Sequence, residues 1–175
     1  MQQREKILDS LLALTGPCEL GSRSDLLHRV LESALTQVHA DGATVLAPYQ
    51  GRLERRAVTT ERRELPPVEC PRQASKLTRL LLHAGRPVRI ADLAADPRVA
   101  PADACPELDA GPALFVPMRR REQTPGYLAA FRRRGAAAFS SGEANQLTLL
   151  AAWTAMAIEN LRLSESVEKL AVTDD

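Results

Sequence analysis

The sequence contains few aromatic residues: of 175 residues, 3 are Phe, 2 are Tyr and 1 is Trp. A surface that stacks nucleic-acid bases, or a cage for a quaternary ammonium ligand, needs several aromatic side chains in one place. The net charge is only +1, so no strong overall field attracts nucleic acid or a membrane surface. We therefore expect neither nucleic acid nor a membrane among the partners of this protein.

Cysteine is scarce as well, with only Cys18, Cys70 and Cys105, and no C-x-x-C pair. An odd number of isolated cysteines predicts neither a disulfide framework nor a structural zinc site. Apolar runs stay well short of the ~18 residues of a membrane span, and the N-terminus lacks the pattern of a signal peptide. The expected location is the cytoplasm.

Motifs of common enzyme classes are absent. The sequence has no G-x-x-x-x-G-K-[ST], no H-E-x-x-H and no G-x-S-x-G. If His28 and His39 lie on one helix, they are ~16 Å apart along its axis, which is too far for one metal ion. His83 is more simply explained as a residue at the C-terminal end of a helix, where the dipole favours it. We predict no catalytic residues, no metal site and no evident cofactor.

The C-terminal stretch carries the clearest signal. Ser140 and Glu143 form the S-x-x-E pattern of a capping box, and neither Pro nor Gly occurs from Glu143 to Asp175. About 30 helical residues would extend about 45 Å, which is longer than a small domain is wide. We predict one long C-terminal helix.

Two apolar stripes follow this helix. The inner stripe has the spacing of a face packed on its own domain and comprises Leu147, Leu150, Ala151, Thr154, Ala157, Ile158 and Leu161. The outer stripe repeats every four and three residues and comprises Leu149, Trp153, Met156, Asn160, Leu163, Val167 and Leu170. The alternative is one wide stripe with a frayed end. We favour a heptad seam of a parallel dimer, with Asn160 setting the register, because the outer stripe continues to Leu170 after the inner one stops.

The N-terminal half reads as helices followed by a hairpin. Residues 3–15 form an amphipathic helix, and we place Leu8 and Leu11 in the same dimer interface. A second helix, capped by Ser22 or Ser24, ends before residue 41. Strands at 43–47 and 52–60 follow, and then an irregular connection that contains Pro66, Pro67 and Pro71.

The second half adds a third helix and three more strands. The helix covers 73–83, with Leu77, Leu80 and Leu81 on its apolar side. Strands are predicted at 88–90, 113–118 and 126–131, with a loop containing a helical turn at 91–110. The arginine runs 119–121 and 132–134 are expected at solvated strand ends. This order predicts an α+β fold, an antiparallel sheet with helices on both faces.

Three segments stand in a characteristic order: the corner Gly85-Arg-Pro-Val-Arg-Ile-Ala-Asp-Leu-Ala-Ala-Asp-Pro-Arg98, the strand pair Leu114-Phe-Val-Pro-Met118 with Gly126-Tyr-Leu128, and Phe139–Leu161. Together they resemble the GAF family of small-molecule sensor domains. The resemblance implies a GAF domain at 20–163, a sheet of five to six strands and a long C-terminal signalling helix. Residues 1–19 would be a dimerisation helix, and 164–175 a helical linker to an output domain.

The resemblance also implies where a ligand would bind, in a pocket between the sheet and the loop 91–110. Its candidate residues are Ile90, Leu93, Cys105 and Phe115 on the apolar wall, with Arg89 and Asp92 as polar anchors. The alternative is that these side chains only fill the core. The Asn-Lys-Phe-Asp-Glu signature of GAF domains that bind cyclic nucleotides is absent, so the small-molecule ligand stays unnamed.

The last residues, Ala171-Val-Thr-Asp-Asp175, resemble the junction at which GGDEF diguanylate cyclase domains begin. This implies the sensory part of a bacterial cyclase that makes cyclic di-GMP. Histidine kinases also carry GAF domains ahead of paired helices, which keeps a kinase output open. An enzymatic alternative is a GAF-like methionine sulfoxide reductase, for which Cys105 would supply the thiol.

Overall fold

A six-stranded antiparallel sheet forms the centre of the protein in the computed structural model, which describes residues 22–61, 64–71 and 75–173. The predicted helix at 3–15, with Leu8 and Leu11, lies outside the described residues. In chain order the elements are α1 (Arg23–Gln37), β1 (Gly42–Tyr49), β2 (Arg52–Thr59), β3 (Leu65–Cys70), α2 (Lys76–Ala84), β4 (Val88–Ile90), β5 (Ala110–Arg120), β6 (Gln123–Arg133) and α3 (Ser141–Thr173).

The strands lie in the order β3-β2-β1-β6-β5-β4, and every neighbouring pair is antiparallel. β1 therefore lies inside the sheet, paired with β2 on one side and β6 on the other. Gly126 allows a close approach here, because a Cβ at this position would lie 1.8 Å from the carbonyl oxygen of Leu46. The predicted α+β fold with helices on both faces is confirmed.

Alternation along the strands gives the sheet two apolar faces. On β1, Ala43, Val45 and Ala47 face α1 and α3, whereas Leu46 faces α2 and the loop 91–110. The loop contains two short 3-10 turns, at Leu93–Ala95 and Pro101–Asp103. The α3 face holds the larger apolar core, and the loop face holds the candidate ligand site.

The segment around Pro66 and Pro67 is a strand, so the prediction of an irregular connection is wrong. Among the described strands, β3 pairs with β2 alone and so lies at the edge of the sheet. An edge strand needs backbone donors on one side only, and proline is tolerated there. Pro117 in β5 has a related explanation, because the pairing with β4 ends at Phe115 and leaves one side of the strand unpaired beyond it.

Helix α2 begins at Lys76, with Ser75 as its cap, three residues later than predicted. The Ser75 hydroxyl accepts a hydrogen bond from the Thr78 N–H at 2.9 Å. Leu77 and Leu81 are buried as predicted, but Leu80 is exposed, and Thr78 is the third buried residue of the helix. Gly85 ends the helix with φ of 62°, a left-handed conformation that glycine adopts without strain.

Helix α3 has the predicted start and length. The Ser140 hydroxyl accepts from the Glu143 N–H at 3.1 Å, and the Glu143 carboxylate accepts from the Ser140 N–H at 2.9 Å. The helix then runs for 33 residues, about 50 Å. Among the described residues, no helix is both long and apolar enough to cross a membrane.

Candidate functional site

Four of the six predicted pocket residues come together beneath the loop 91–110. Ile90, Leu93, Cys105 and Phe115 belong to one buried cluster between the sheet, α2 and the loop. The rings of Phe115 and Phe131 meet edge to face there, with centroids 5.5 Å apart. The structure thus brings the predicted apolar wall together, and the four side chains pack on one another.

The two predicted polar anchors do not join this cluster. Arg89 is exposed and donates to the carbonyl oxygen of Phe139 at 3.2 Å. Asp92 caps the first 3-10 turn by accepting from the Ala94 N–H at 3.1 Å, and it lies near Arg134. Both residues organise the edge of the domain rather than its interior.

A different set of polar residues lies inside the loop face. Asp103, at the end of the second 3-10 turn, is 1% exposed and accepts from the Thr78 hydroxyl at 3.1 Å and from the Ala100 N–H at 2.8 Å. Arg55 on β2 is 9% exposed and donates to the carbonyl oxygens of Ala102 and Ala104, on either side of Asp103. These bonds fasten the loop to β2 and α2.

Burial controls the acid–base chemistry of this face. It raises the pKa of the Cys105 thiol to about 12, against a smaller lowering by the nearby Arg55 guanidinium. Burial likewise raises the pKa of Cys70 and that of Tyr127. Because the thiolate is the reactive form of cysteine, Cys105 is held as an unreactive thiol near neutral pH. This environment opposes the methionine sulfoxide reductase alternative.

Small residues form the floor of the same face. Thr44 on β1 pairs with Ala57 on β2 and with Ala129 on β6. Two residues before Thr44 on the same strand, a Cβ at Gly42 would lie 2.7 Å from the Cys105 sulfur, which shows how closely the loop covers the sheet. The Thr44 hydroxyl is buried, and no described residue bonds it. The centre of the sheet therefore offers an unpaired polar atom beneath the loop.

Arg55, Thr44 and Asp103 are functional candidates that the sequence analysis missed. In the sequence, Thr44 stands in the apolar run Ala43-Thr-Val-Leu-Ala47, and Arg55 in the polar run Arg52-Leu-Glu-Arg-Arg56. The sequence signal for a buried Arg55 was the two-residue period of the strand, which places positions 55 and 57 on the same face as Leu53. An arginine on the same strand face as a buried leucine indicates that the arginine is buried too.

An open cleft of about 1090 Å³ lies elsewhere, where α3 passes the β1–β2 and β5–β6 hairpins. Its walls carry both signs of charge, and within it Glu159 of α3 pairs with Arg120 at 3.1 Å and with Arg162 at 2.8 Å. The first of these pairs connects the β5–β6 hairpin to α3, and the second lies within the helix.

The outer stripe of α3 is exposed in the single chain. Met156 is 64% exposed and Val167 66%, and the exposed apolar residues continue through Leu163, Leu170 and Val172. The inner stripe is covered by the domain as predicted, with Leu147, Leu150, Ala151, Thr154 and Ala157 buried. Trp153 differs from the other seam candidates, because it is half-buried and packs on the core. An exposed apolar stripe of this length on a helix indicates a partner surface.

The histidines do not assemble a metal site. His28 lies 3.1 Å from Glu32, His39 lies beyond the end of α1 with φ of 48°, and His83 is exposed in the last turn of α2. Within the described ranges, no group of three or more His, Cys, Asp and Glu side chains is arranged to hold a metal ion.

The family model described as "GAF domain" matches residues 21–159 of the chain. Among solved structures, the chain is similar to the GAF domain of a phosphoenolpyruvate-protein phosphotransferase from Coxiella burnetii, with a TM-score of 0.74, 15% identity, and coverage of 94% of this chain and 96% of that one. It is also similar to the second GAF domain of DevS from Mycobacterium smegmatis, with a TM-score of 0.58, 22% identity, and coverage of 85% and 99%.

A third similar structure is the GAF domain/HD domain protein from Geobacter sulfurreducens, with a TM-score of 0.65, 17% identity, and coverage of 83% of this chain and 97% of that chain. At these identities the structural matches establish the fold. A comparison with curated proteins finds no match.

Proposed function

The chain belongs to the GAF domain family, and we propose that it is the sensory module of a signalling protein, which acts on an output domain through helix α3. The observation that supports this is the division of α3 into two apolar stripes. The inner stripe is buried up to Ala157 and partly buried up to Leu161, and the outer stripe stays exposed as far as Leu170. A helix of this kind connects the core of one domain to a surface outside it.

We infer that the surface outside is the same helix of a second copy, in a parallel homodimer. The outer residues repeat every four and three positions, as in a two-stranded coiled coil, and Asn160 supplies one polar position in the seam. The outer stripe lies nearly opposite the inner one around the helix, so one helix contacts its own domain and a partner at the same time. Pairing would cover the exposed residues of the stripe.

Signalling then requires two arrangements of the paired helices that differ by a few kcal/mol. The loop face is the proposed sensory site, since the loop 91–110 is fastened there by Arg55 and Asp103. The sheet carries α3 on its other face, so a change in packing beneath the loop reaches the helix through the strands. The ion pair between Arg120 and Glu159 couples β5 to the helix directly.

The dimer is tested with Val167→Asp, which would place two like charges opposite each other in the seam. We expect the dimerisation constant to weaken by more than about tenfold, or about 1.4 kcal/mol. Ser166→Asp is the matched control, because it adds the same charge one residue away, on a different flank of an exposed turn. Sedimentation equilibrium of the parent, Val167→Asp and Ser166→Asp proteins measures the effect.

A parent protein that stays monomeric at about 100 μM would overturn the homodimer. So would equal dimerisation constants for the three proteins. Asn160→Asp provides a second charge at the centre of the seam. We expect it to weaken the dimer in the same direction as Val167→Asp.

We further propose that the output is a diguanylate cyclase. The support is the resemblance of Ala171–Asp175 to the junction that precedes GGDEF domains. The reading frame after Asp175 decides the point: Leu-Thr-Gly followed by a GGDEF motif supports a cyclase, and a histidine-containing phosphotransfer helix supports a kinase instead. If a cyclase follows, Val167→Asp should lower cyclic di-GMP synthesis from GTP, while Ser166→Asp should not.

A further inference from the structure

The two edges of the sheet differ in how they are protected against further pairing. β3, at one edge, contains Pro66 and Pro67, which have no backbone N–H to donate. β4, at the other edge, is the three-residue strand Val88–Ile90 and contains no proline. Proteins usually block a strand edge with prolines, charges or a covering segment, because an open edge adds further strands. The sheet is thus protected by prolines at the β3 edge but not at the β4 edge.

The outward side of β4 has free backbone groups. β4 pairs with β5 from Val88 to Ile90, which uses the N–H and C=O groups on one side of the strand. On the other side, no residue in the described part of the chain bonds the backbone groups of 88–91. Water or an added strand has to bond them. An edge of this kind is a template for a further strand.

A groove of about 510 Å³ follows this edge. Residues 87–91 form one wall, and Arg98, Ala138 and Phe139 line the rest. Arg98 belongs to the loop 91–110 and Phe139 to the segment before α3, so the groove is flanked on both faces of the sheet. Its volume is that of a small ligand site, and its course along a strand fits an extended peptide segment.

The two faces of β4 present different side chains to this groove. Arg89 pairs with Leu114 of the core on the α3 face, so Arg89 lies on that face too. Its guanidinium donates to the carbonyl oxygen of Phe139 at 3.2 Å, and within the described ranges no carboxylate pairs with it. On the loop face, Ile90 is buried and Val88 is half-buried. The edge thus carries a cation without an anionic partner between two apolar positions.

We propose that the β4 edge binds an extended segment of another protein as a seventh strand, with an acidic residue of this segment between two apolar ones. A carboxylate opposite Arg89 forms a charge-assisted bond, and opposite charges facing each other stabilise a strand pair. The apolar neighbours of the acidic residue then face Val88 and Ile90. Two arginines and no acidic residue line the groove, and the exposed Arg86 directly precedes it.

A second copy of this chain fits the groove less well. Pairing β4 with β4 of another copy, centred on Arg89, places two arginines opposite each other, and like charges at facing positions destabilise a strand pair. β3 has the matching order Val68-Glu69-Cys70, but Glu69 already pairs with Arg52 at 2.9 Å, and two prolines precede this segment. The added strand is therefore expected from a different protein.

The probe is the peptide acetyl-Thr-Val-Glu-Val-Thr-amide, titrated into the isotopically labelled 175-residue protein. We expect changes in NMR chemical shift at residues 87–91 and 138–139, with Kd of about 1 mM or tighter. Amide hydrogen exchange at 88–91 should become slower in the bound protein. The same peptide with Lys in place of Glu is the matched control, and it should bind about tenfold more weakly.

Methylation of the peptide nitrogens distinguishes an added strand from binding by side chains alone. In an added strand, the N–H groups of alternate residues point to β4, and those of the residues between them point away. One probe is methylated at the nitrogen of Glu, and a second at the nitrogens of both Val residues. We expect the Kd values of these two peptides to differ by at least about tenfold, since only one of them loses donors to β4.

Arg89→Glu reverses the charge at the centre of the edge. It should weaken the binding of the Glu peptide by about tenfold and strengthen that of the Lys peptide. Arg52→Glu is the matched control, because it makes the same change at an exposed strand residue next to the other edge of the sheet. It should leave both affinities unchanged. Val167→Asp, in the seam of α3, should bind both peptides as the parent protein does.

Three results would overturn the proposal: no change in chemical shift at 87–91 with about 10 mM peptide, equal affinities for the Glu and Lys peptides, or equal affinities for the two methylated peptides. Self-association of the parent that is lost in Arg89→Glu but kept in Val167→Asp would identify a second copy as the occupant instead. The seam of α3 is judged separately, by sedimentation. A monomer that binds the Glu peptide keeps the β4 site and refutes the helix dimer.

Discussion

Arg132 was expected at a solvated strand end, but its side chain connects several parts of the fold. Its guanidinium donates to the carbonyl oxygens of Val38 and His39 after α1, and to those of Ala137 and Ala138 before α3. It also pairs with the Glu143 carboxylate and lies 4.1 Å above the centroid of the Phe139 ring. One side chain thus joins the end of α1 to the start of α3.

Replacing Arg132 and, separately, Arg133 distinguishes the contributions of the two residues to stability. Arg132→Met keeps much of the apolar stem but removes the donor to several carbonyls and to one oxygen of the Glu143 carboxylate, so we expect a loss of about 2–3 kcal/mol in the free energy of unfolding. Arg133→Met removes only a pair between Arg133 and Glu61, two exposed side chains, and should cost less than about 1 kcal/mol. Urea denaturation of both variants measures the difference, and equal losses would contradict the role given to Arg132.

At the scale of the element, α3 begins where its backbone is capped from both directions. Ser140 and Glu143 satisfy each other's free N–H groups, and Arg132 holds the Glu143 carboxylate. The first buried position, Ala144, follows at once. The start of the helix is therefore fixed to β6 before the long stripe of core contacts begins.

Ser140→Ala removes the cap and should lower the free energy of unfolding by about 1 kcal/mol. Ser141→Ala, one residue later, alters an exposed side chain inside the first turn and should change stability by less than about 0.5 kcal/mol. The two alanine variants have the same composition, so the comparison isolates the position of the hydroxyl. A Ser140→Ala protein as stable as Ser141→Ala would mean that Arg132 alone holds the start of α3.

The elements that could be predicted are those whose pattern is local. A capping box, a 3.6-residue period and a two-residue period depend on residues close in sequence, and α1, α3, β1 and β2 followed from them. β3 was missed because two prolines argue against a strand unless it lies at an edge, and the position of a strand in a sheet is not local information. Leu80 was predicted on the apolar side of the helix because helix periodicity does not show that Thr78 is a buried position. Thr78 is buried because its hydroxyl donates to Asp103 of the loop.

The site divides in the same way. That Ile90, Leu93, Cys105 and Phe115 lie in one buried cluster could be predicted because the resemblance locates the corner and the strand that carry them. Arg55 was missed because its contacts are to Ala102 and Ala104, almost fifty residues away. Long-range contacts of a charged side chain leave no period in the sequence.

For the whole molecule, the two faces of the sheet have different tasks. The α3 face carries a continuous apolar core, and α3 continues from this core beyond the domain. The loop face contains nearly all the buried polar groups, including Arg55, Asp103 and Thr78. A fold that combines one tightly packed face with one polar face can change the second while the first keeps its helix attached, as transmission from a sensory site to α3 requires.

The same asymmetry predicts how stability depends on alkaline pH. Burial raises the pKa of Cys105 from its usual 9.0 to about 12, with a smaller opposing effect of Arg55, and it raises the pKa of Tyr127 too. Between pH 9.0 and about 12, the Cys105 thiol is largely deprotonated in the unfolded chain but still protonated in the folded protein. The unfolded state then binds fewer protons, so the free energy of unfolding falls as pH rises above 9 and is unaffected by these groups below it.

Cys105→Ala removes one of these groups and should make the fall shallower by up to about 1.4 kcal/mol per pH unit between pH 9.5 and 11. Leu93→Ala is the matched control, because it truncates a side chain of the same buried cluster that does not titrate. It should lower the whole curve without changing its slope. Urea denaturation at a series of pH values measures both slopes. If the Cys105→Ala and parent slopes coincide, the thiol ionises as readily in the folded protein as in the unfolded chain, and thiolate chemistry beneath the loop becomes the better explanation of this face.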